Sequence, residues 1–256
     1  MGNLVNLKRP ERRAGINAVF FDVGGTLIEP RYPVGEIYAK FAARFGRSAD
    51  PVRLQANFLR HFPLQPKLAF GRDLPLSNIF SAECDWWRRL VSDVFADEGP
   101  FPRFDEFFEA VYEAFRGDDL WKVLDGVVPT LETLRQRNLR LGVVSNFDSR
   151  LPTILRECEL AHYFRTVRFS SFSNSAKPDS AIFQTALDEL QLRPEETVHV
   201  GDSWNEDIEG ALAMGMRAIL FDPRRRFIDN PGLRNENVTR IERFDQLTEI
   251  DYLQVK

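Results

Sequence analysis

Four short clusters of polar residues in this 256-residue chain are of types that could do chemistry together. The first is Asp22-Val23-Gly24-Gly25-Thr26-Leu27, directly after the apolar run Ile16–Phe21. The second, Ser145-Asn146, closes the run Leu139–Ser145 (LRLGVVS). The third, Lys177-Pro178-Asp179, follows Thr166–Phe169 across a short Ser-rich loop. The fourth, Gly201-Asp202-Ser203-Trp204-Asn205-Glu206-Asp207, follows Thr197–Val200. A carboxylate such as Asp22, placed between a strand and a Gly-rich turn, can attack an electrophile and form a covalent intermediate. The Ser145 hydroxyl and the Asn146 backbone N–H offer two donors to an anionic oxygen, and the Lys177 ammonium would neutralise charge developing at a reacting centre. Asp22, Asp202 and Asp207 are hard oxygen donors of the kind that suit Mg²⁺. Taken singly these signals are weak. A strand-terminal Asp is often structural, a Ser after a strand is usually a turn or cap residue, and Lys-Pro-Asp is a common helix start. GDSxxxD alone reads as an N-cap followed by a surface acid. Their order after four successive strands is what favours a joint functional reading.

The elements that must bring these clusters together are legible as short apolar runs, the last being Arg217–Phe221. Such runs are what buried parallel strands look like. Helical patterns separate them at Pro129–Arg137, Arg150–Glu159, Pro178–Leu190 and Asn205–Met214. The alternation predicts an α/β fold, a three-layer core around a parallel sheet. In such sheets ligands bind beyond the carboxyl ends of the strands, so Asp22 and Asp202 are expected to meet across a separation of 180 residues. Residues 33–118 break the alternation. They hold no convincing strand and read as amphipathic helices broken by prolines. Twelve of the 22 Phe lie there, as does the pair Trp86-Trp87. A small helical domain with its own core, inserted between the first two strands, is the expectation. Two boundaries, Pro30–Pro33 and Gly117–Trp121, carry Gly or Pro and are expected to act as hinges. Residues 1–15 are polar and basic and read as a loose tail.

Composition excludes several classes. Hydrophobic residues make up 43% and charged residues 28%, which is ordinary globular usage. The net charge of -4 gives no electrostatic case for a nucleic-acid or membrane partner. Cys84 and Cys158 cannot build a disulfide framework or a zinc site by themselves, and they are expected to be buried, inert thiols. The N-terminus has no apolar stretch of a secretory signal, and Asn6 breaks the myristoylation pattern. A cytoplasmic location is therefore expected. His199, inside an apolar strand, reads as a core or supporting residue. Arg224-Arg225-Arg226 reads as a solvated loop, with an anion-binding patch as the alternative. Trp204 either flanks a ligand or packs under the inserted helices.

FFDVGGTL, VVSN, AKPD and GDSWNED resemble, in order, the four motifs of the haloacid dehalogenase superfamily of hydrolases, and the resemblance covers roughly residues 16–225. Within it, the stretch from Trp121 to Leu151 and the Trp86-Trp87 pair look most like the subgroup called haloacid dehalogenase-like hydrolase domain-containing protein 3, or rhythmically-expressed-gene-like. The resemblance implies a Rossmann-like core over 16–32 and 119–256 and a helical cap domain over 33–118. It implies Asp22 as nucleophile, with Ser145, Asn146 and Lys177 holding the transferring group. Mg²⁺ would be bound by Asp22, Asp202 and the backbone carbonyl of Gly24, with Asp207 as a ligand or just behind one. The substrate implied is a small phosphorylated metabolite, turned over through an aspartyl phosphate.

The chain departs from the pattern at Gly24. Phosphatases of the superfamily carry there a second Asp that protonates the leaving group and then activates water. Losing such a group costs about 10²–10⁴ in rate. The superfamily's dehalogenases also lack it, because halide leaves without a proton. Three functions stay open on this reading: a Mg²⁺-dependent phosphatase, a carbon–halogen hydrolase, and a weakly active or non-catalytic member that binds a phosphorylated metabolite or a protein. Glu29 or a carboxylate of the inserted helices is the expected stand-in for the missing acid.

Overall fold

β1, Ala18–Phe21, is buried on both faces, and the alternation of its side chains builds the molecule. Val19 and Phe21 enter one apolar cluster with Leu131, Leu134, Ile154 and Leu155. Ala18 and Phe20 enter a second with Ile182, Phe183, Leu187 and Ile208. The first cluster holds α5 (Val127–Gln136) and α6 (Leu151–Glu157) against one face. The second holds α7 (Ser180–Leu190) against the other. The result is the expected three-layer α/β core. The computed structural model describes residues 15–70 and 74–254, so the tail expected at 1–15 lies almost wholly outside the described residues.

Six parallel strands form the sheet in the order β5-β4-β1-β6-β7-β8. They are β4 (Arg140–Ser145), β5 (Thr166–Phe169), β6 (Thr197–Gly201), β7 (Arg217–Phe221) and β8 (Val238–Ile241), beside β1. The chain leaves β1 for β4 and β5 on one side, then returns to β6 on the other. Strand order thus reverses around β1, which is where ligands settle in open α/β sheets. Phe21 pairs with both Val143 and Val200, so three strands end at nearly one level.

Two features depart from the sequence reading. β8 was not foreseen. Thr239 and Arg240 interrupt its apolar character because it is an edge strand, half-buried at both positions. An antiparallel ribbon of β2 (Ile28–Pro30) with β3 (Trp121–Val123) was not foreseen either, and it meets the two expected hinge segments at Pro30 and Trp121. Three residues a side are too few for a periodic signal. The Arg31 side chain ties the ribbon further, donating to the carbonyls of Asp119 and Trp121 at 3.1 and 2.9 Å.

Between β2 and β3 run α1 (Val34–Arg44), α2 (Pro51–His61), α3 (Leu76–Phe95) and α4 (Phe104–Ala114). Their shared core includes Tyr38, Leu54, Trp86, Leu90, Phe95 and Phe107. Asp50 caps α2, accepting from the Val52 N–H at 3.0 Å with Pro51 at the first helical position. The Phe-rich run packs edge-to-face. Tyr38 meets Phe58, Phe107 and Phe115 at 84°, 89° and 85°, an arrangement that adds to simple burial.

These helices are clasped to the core at residues 148–150. The Trp87 indole N–H donates to Asp148 Oδ2 at 2.7 Å. The Glu83 carboxylate accepts from the Ser149 N–H at 3.0 Å and from its hydroxyl. Arg150 donates to the Tyr112 carbonyl at 3.1 Å and pairs with Asp148 through two bonds, 2.9 and 2.6 Å, both residues being buried.

Candidate active site

Asp22 and Asp202 follow β1 and β6 directly and Ser145 is the last residue of β4, so the sheet register alone brings them together. The Asp22 N–H donates to the Val200 carbonyl at 2.9 Å, which ties the loop after β1 to β6. The Ser145 hydroxyl donates to Asp22 Oδ1 at 2.8 Å. Lys177 comes from the loop after β5 and is only 1% exposed. Its Nζ donates to Asp22 Oδ1 and to Asp207 Oδ1, each at 2.6 Å.

A second ring of contacts fixes these groups. The Asn146 side chain grips the Lys177 backbone, accepting from its N–H at 2.7 Å and donating to its carbonyl at 3.1 Å. Asn146 was expected to offer its backbone N–H to an anion, and this use of its side chain was not foreseen. The helix after Lys177 begins at Ser180 rather than Pro178, because the Asp179 side chain caps it through the Ala181 N–H at 2.9 Å. Asp207 also accepts from the Ser203 N–H at 2.9 Å and lies 2.8 Å from His199 Nε2. It lies so close to β6 that a Cβ at Gly201 would come within 2.1 Å of its Cγ. Gly25 has φ +81°, and a Cβ there would meet Asp202 Oδ2 at 2.9 Å; both demands select glycine. Asp207 lies in a π-helical turn, Trp204–Glu209, where a plain helix over 205–214 was expected.

The electrostatics follow from burial and charge count. Burial alone would lower the Lys177 ammonium, but Asp207 and Asp22 hold it well above its ordinary value. Burial would raise Asp207, and Lys177 with His199 overcomes this and holds it well below the usual carboxylate range. Asp22 is pushed up by burial, against Lys177, with Asp207 adding to the rise. Burial lowers His199, which is therefore neutral and supports Asp207, in line with the sequence reading. Asp202 is raised to about 6 by burial and by the charges of Asp22 and Asp207. With all groups ionised, three carboxylates face two cations, Lys177 and Arg226.

Asp22, Asp202 and Asp207 place ligand oxygens all within 4.8 Å of one another. Hard oxygen donors with surplus negative charge are what a divalent cation of the Mg²⁺ type requires, so the residues present fit such an ion. Gly24 lies beside them, on the wall of the same cavity.

Four side chains, Trp204, Glu29, Cys84 and Cys158, fall elsewhere than the sequence suggested, and Arg226 makes a contact it did not suggest. Arg226 lies in the exposed loop that the sequence suggested for Arg224–Arg226, and its Nη2 also donates to the Asp202 carbonyl and to Oδ2, each at 3.0 Å. Trp204 neither flanks the cavity nor lies under the helices; it packs on Phe227 and Gly232 and donates to Glu209 at 3.0 Å. Glu29 lines a different groove, beside Lys122 and Arg224 at 3.9 and 3.8 Å. Cys84 and Cys158 are half-buried rather than buried, and burial raises both thiols, Cys158 to about 11. Sequence reasoning also passed over Glu206. Outside the acidic cluster it is the one carboxylate on the cavity wall among the described residues, and burial pushes it up. Its place between Asp202 and Asp207 was the available signal.

The cavity holds about 440 Å³ and runs from Asp22, Asn146 and Asp202 into the inserted helices, where Tyr38, Trp87 and Phe115 line it.

The haloacid dehalogenase-like hydrolase family profile matches residues 16–215. The chain is 34% identical over 214 residues to haloacid dehalogenase-like hydrolase domain-containing protein 3 of Bos taurus, covering 81% of this chain and 82% of that one. Its fold is similar to that of a HAD phosphatase from Thermococcus onnurineus, with a TM-score of 0.60, 24% identity, and coverage of 91% and 97%. A 2-haloacid dehalogenase from Pseudomonas syringae pv. Tomato DC3000 is similar at a TM-score of 0.58 and 25% identity, over 91% and 97% of the two chains.

Proposed function

The chain belongs to the haloacid dehalogenase-like hydrolase family, and from that premise we propose that it is a Mg²⁺-dependent phosphatase of a small phosphorylated metabolite. The observation that carries this reading is the buried Lys177 bridging Asp22 and Asp207 beside a third carboxylate, Asp202. A carbon–halogen hydrolase has no need of three acids converging on one point, whereas a phosphoryl group and a divalent ion do. The inserted helices at 33–118 act as the cap that encloses the substrate. Neither nucleic acid nor membrane enters the reaction, and no helix among the described residues is long and apolar enough to cross a membrane. The cytoplasm is the proposed site of action.

In this mechanism the Asp22 carboxylate attacks phosphorus, the ester P–O bond breaks, and an aspartyl phosphate forms. Ser145, the Asn146 backbone and Lys177 hold the phosphoryl oxygens and meet the charge that builds on them. Asn146 positions Lys177 through its side chain, and His199 and Ser203 position Asp207. Asp22, Asp202, Asp207 and the Gly24 carbonyl would hold Mg²⁺, which when bound draws charge from the phosphoryl oxygens. The test is turnover of phosphate esters and of 2-haloacids, each with Mg²⁺ and with chelator. Phosphate release that chelator abolishes supports the reading. Halide release that persists with chelator overturns it.

Metal affinity should depend on Asp202 and on pH. The carboxylate must be ionised to bind, and Asp202 takes up a proton near pH 6. Mg²⁺ affinity measured by calorimetry should therefore be flat above pH 7 and fall up to about tenfold per unit below 6. Asp202→Asn should weaken it strongly at every pH. An unchanged affinity in that variant would make the fourth motif structural.

Gly24 limits the rate. No carboxyl group sits there to protonate an alkoxide, so alkyl phosphates should be poor substrates and the phospho-enzyme should accumulate as a burst. That same feature favours the second reading, a weakly active member that binds a phosphorylated metabolite. Gly24 does not take a left-handed φ, and a Cβ there meets nothing within 4 Å, so the turn tolerates an aspartate. Gly24→Asp should raise alkyl phosphatase activity by about 10²-fold or more. If the wild type already turns over alkyl phosphates at about 1–10³ per second and the variant gains nothing, the acid lies elsewhere, and Glu206 is then the residue to test.

A further inference from the structure

The cavity wall says what the phosphate is attached to. This inference rests on the phosphatase reading and narrows it. The cavity holds about 440 Å³, and a cavity of about 150 Å³ accommodates one benzene ring. There is room for a phosphate and one or two rings. Tyr38, Phe62, Trp87, Phe108, Phe115 and Trp121 face it.

The cation and the indole N–H that could greet a charged leaving group are already engaged, which leaves the Tyr38 and Tyr112 hydroxyls as the neutral polar groups of the inserted helices on the wall. Arg150 is the single cation on the wall among the described residues. It is bound by both oxygens of Asp148, gives a further arm to the Tyr112 carbonyl, and lies 4.2 Å from the Tyr112 ring and 5.0 Å from the Trp87 ring. Its charge is spent on Asp148, so a second anion on the substrate would go unpaired. The Trp87 N–H is likewise taken by Asp148. Glu206, at the cluster end of the cavity, would repel a second anion. A polyhydroxylated group would lose more water than the Tyr38 and Tyr112 hydroxyls and Glu206 replace, which is costly. At Gly24 there is no acid to protonate a departing alkoxide, and a phenolate needs none.

We propose that the substrate is an aryl phosphomonoester without a second charge, its ring lodged among the aromatic side chains that line the cavity. In the first step a bond forms between an Asp22 oxygen and phosphorus. The bond from phosphorus to the phenolic oxygen breaks, and the phenolate departs with the electron pair and takes a proton from solvent. Water then releases inorganic phosphate and restores Asp22.

The test is calorimetry with Mg²⁺ and three non-hydrolysable ligands: methylphosphonate, benzylphosphonate and 4-carboxybenzylphosphonate. Benzylphosphonate should bind about 10–100-fold more tightly than methylphosphonate, as burial of one ring implies, and the added carboxylate should erase that gain. Phe62 is 43% exposed, lies on the wall and takes no part in the acidic cluster. Phe62→Lys should abolish the benzyl preference and tighten 4-carboxybenzylphosphonate about tenfold. Equal affinity for the methyl and benzyl ligands would overturn the aryl assignment while leaving the phosphatase reading intact. Failure of all three to bind would overturn both. A Phe62→Lys protein with wild-type preferences would also overturn the aryl assignment.

Discussion

Asp22→Asn should lower turnover by roughly 10⁴–10⁶-fold, the scale on which enzymes lose activity when a nucleophile is removed, without loss of stability. An amide cannot form the acyl phosphate, so no phosphorylated peptide should be recovered by mass spectrometry from the quenched variant. Folding should not suffer, and the sign can be worked out. Burial raises the Asp22 carboxyl in the folded protein. A group that holds its proton more tightly when folded favours folding at low pH and opposes it once ionised. Replacing it with a neutral amide removes that opposition near pH 7. Lys177 keeps Asp207 as its partner, and the Ser145 hydroxyl and the Lys177 ammonium can both still donate to the amide oxygen. A variant with a reduced melting temperature would mean that Asp22 is chiefly a structural counter-ion. One that retained turnover within tenfold of wild type would remove Asp22 from the chemistry.

Lys177→Met should behave in the opposite way, losing both activity and stability. The side chain is fully enclosed, and its removal leaves Asp22 and Asp207 facing each other without a cation. Breaking a buried ion pair from one side costs about 3–5 kcal/mol. At about 2–4 °C per kcal/mol for a protein of this size, the melting temperature should fall by about 10 °C. Loss of charge stabilisation at the phosphoryl group should lower kcat by about 10²–10³ or more. The wild-type pH dependence follows from the two shifts. Lys177 is held above its ordinary value, so its contribution is full below the ordinary lysine range and is lost as pH rises through the folded value. Asp207 is held below the carboxylate range, so its contribution is full above about pH 4 and is lost only in strong acid. In the variant both buried carboxyls are free to take protons, and melts at pH 5 and 8 should show the smaller deficit at pH 5. An equal deficit at both would mean that lost packing, not unpaired charge, destabilises the variant.

How much of this could be read beforehand depended on whether one stretch of chain carried the signal. β1 is apolar along its whole length because both faces are covered, and so it stands out. β8, with Thr239 and Arg240 half-exposed at an edge, does not. The β2–β3 ribbon joins residues some 90 positions apart and has no local signature. Asp22 and Asp202 directly follow a strand, Ser145 ends one, and Lys177 and Asp207 lie in the loop and turn beyond; the structure brings all five to one place. Arg226 reaches Asp202 from 24 residues downstream. Arg150 meets its cap contacts 38 to 63 residues away, and only the folded chain reveals them. The Asn146 amide could have been suspected, since a polar side chain beside a strand end needs partners, but its grip on the Lys177 peptide is visible only in three dimensions.

The clasp at residues 148–150 bears on how molecules enter and leave. Ser149 and Arg150 lie on the loop that begins at Asn146, so the helices above the cavity and the donors to the phosphoryl group share one short piece of backbone. Any widening of the cavity between the helices and the sheet parts Glu83 from Ser149 and Trp87 from Asp148. Exchange with solvent is then set by polar contacts outside the reaction centre. Opening and release limit kcat in many enzymes with such enclosures. In the proposed reaction, residence time of phosphate and speed of bond breaking would be separately adjustable, the first at Glu83 and Ser149, the second at Asp22 and Lys177.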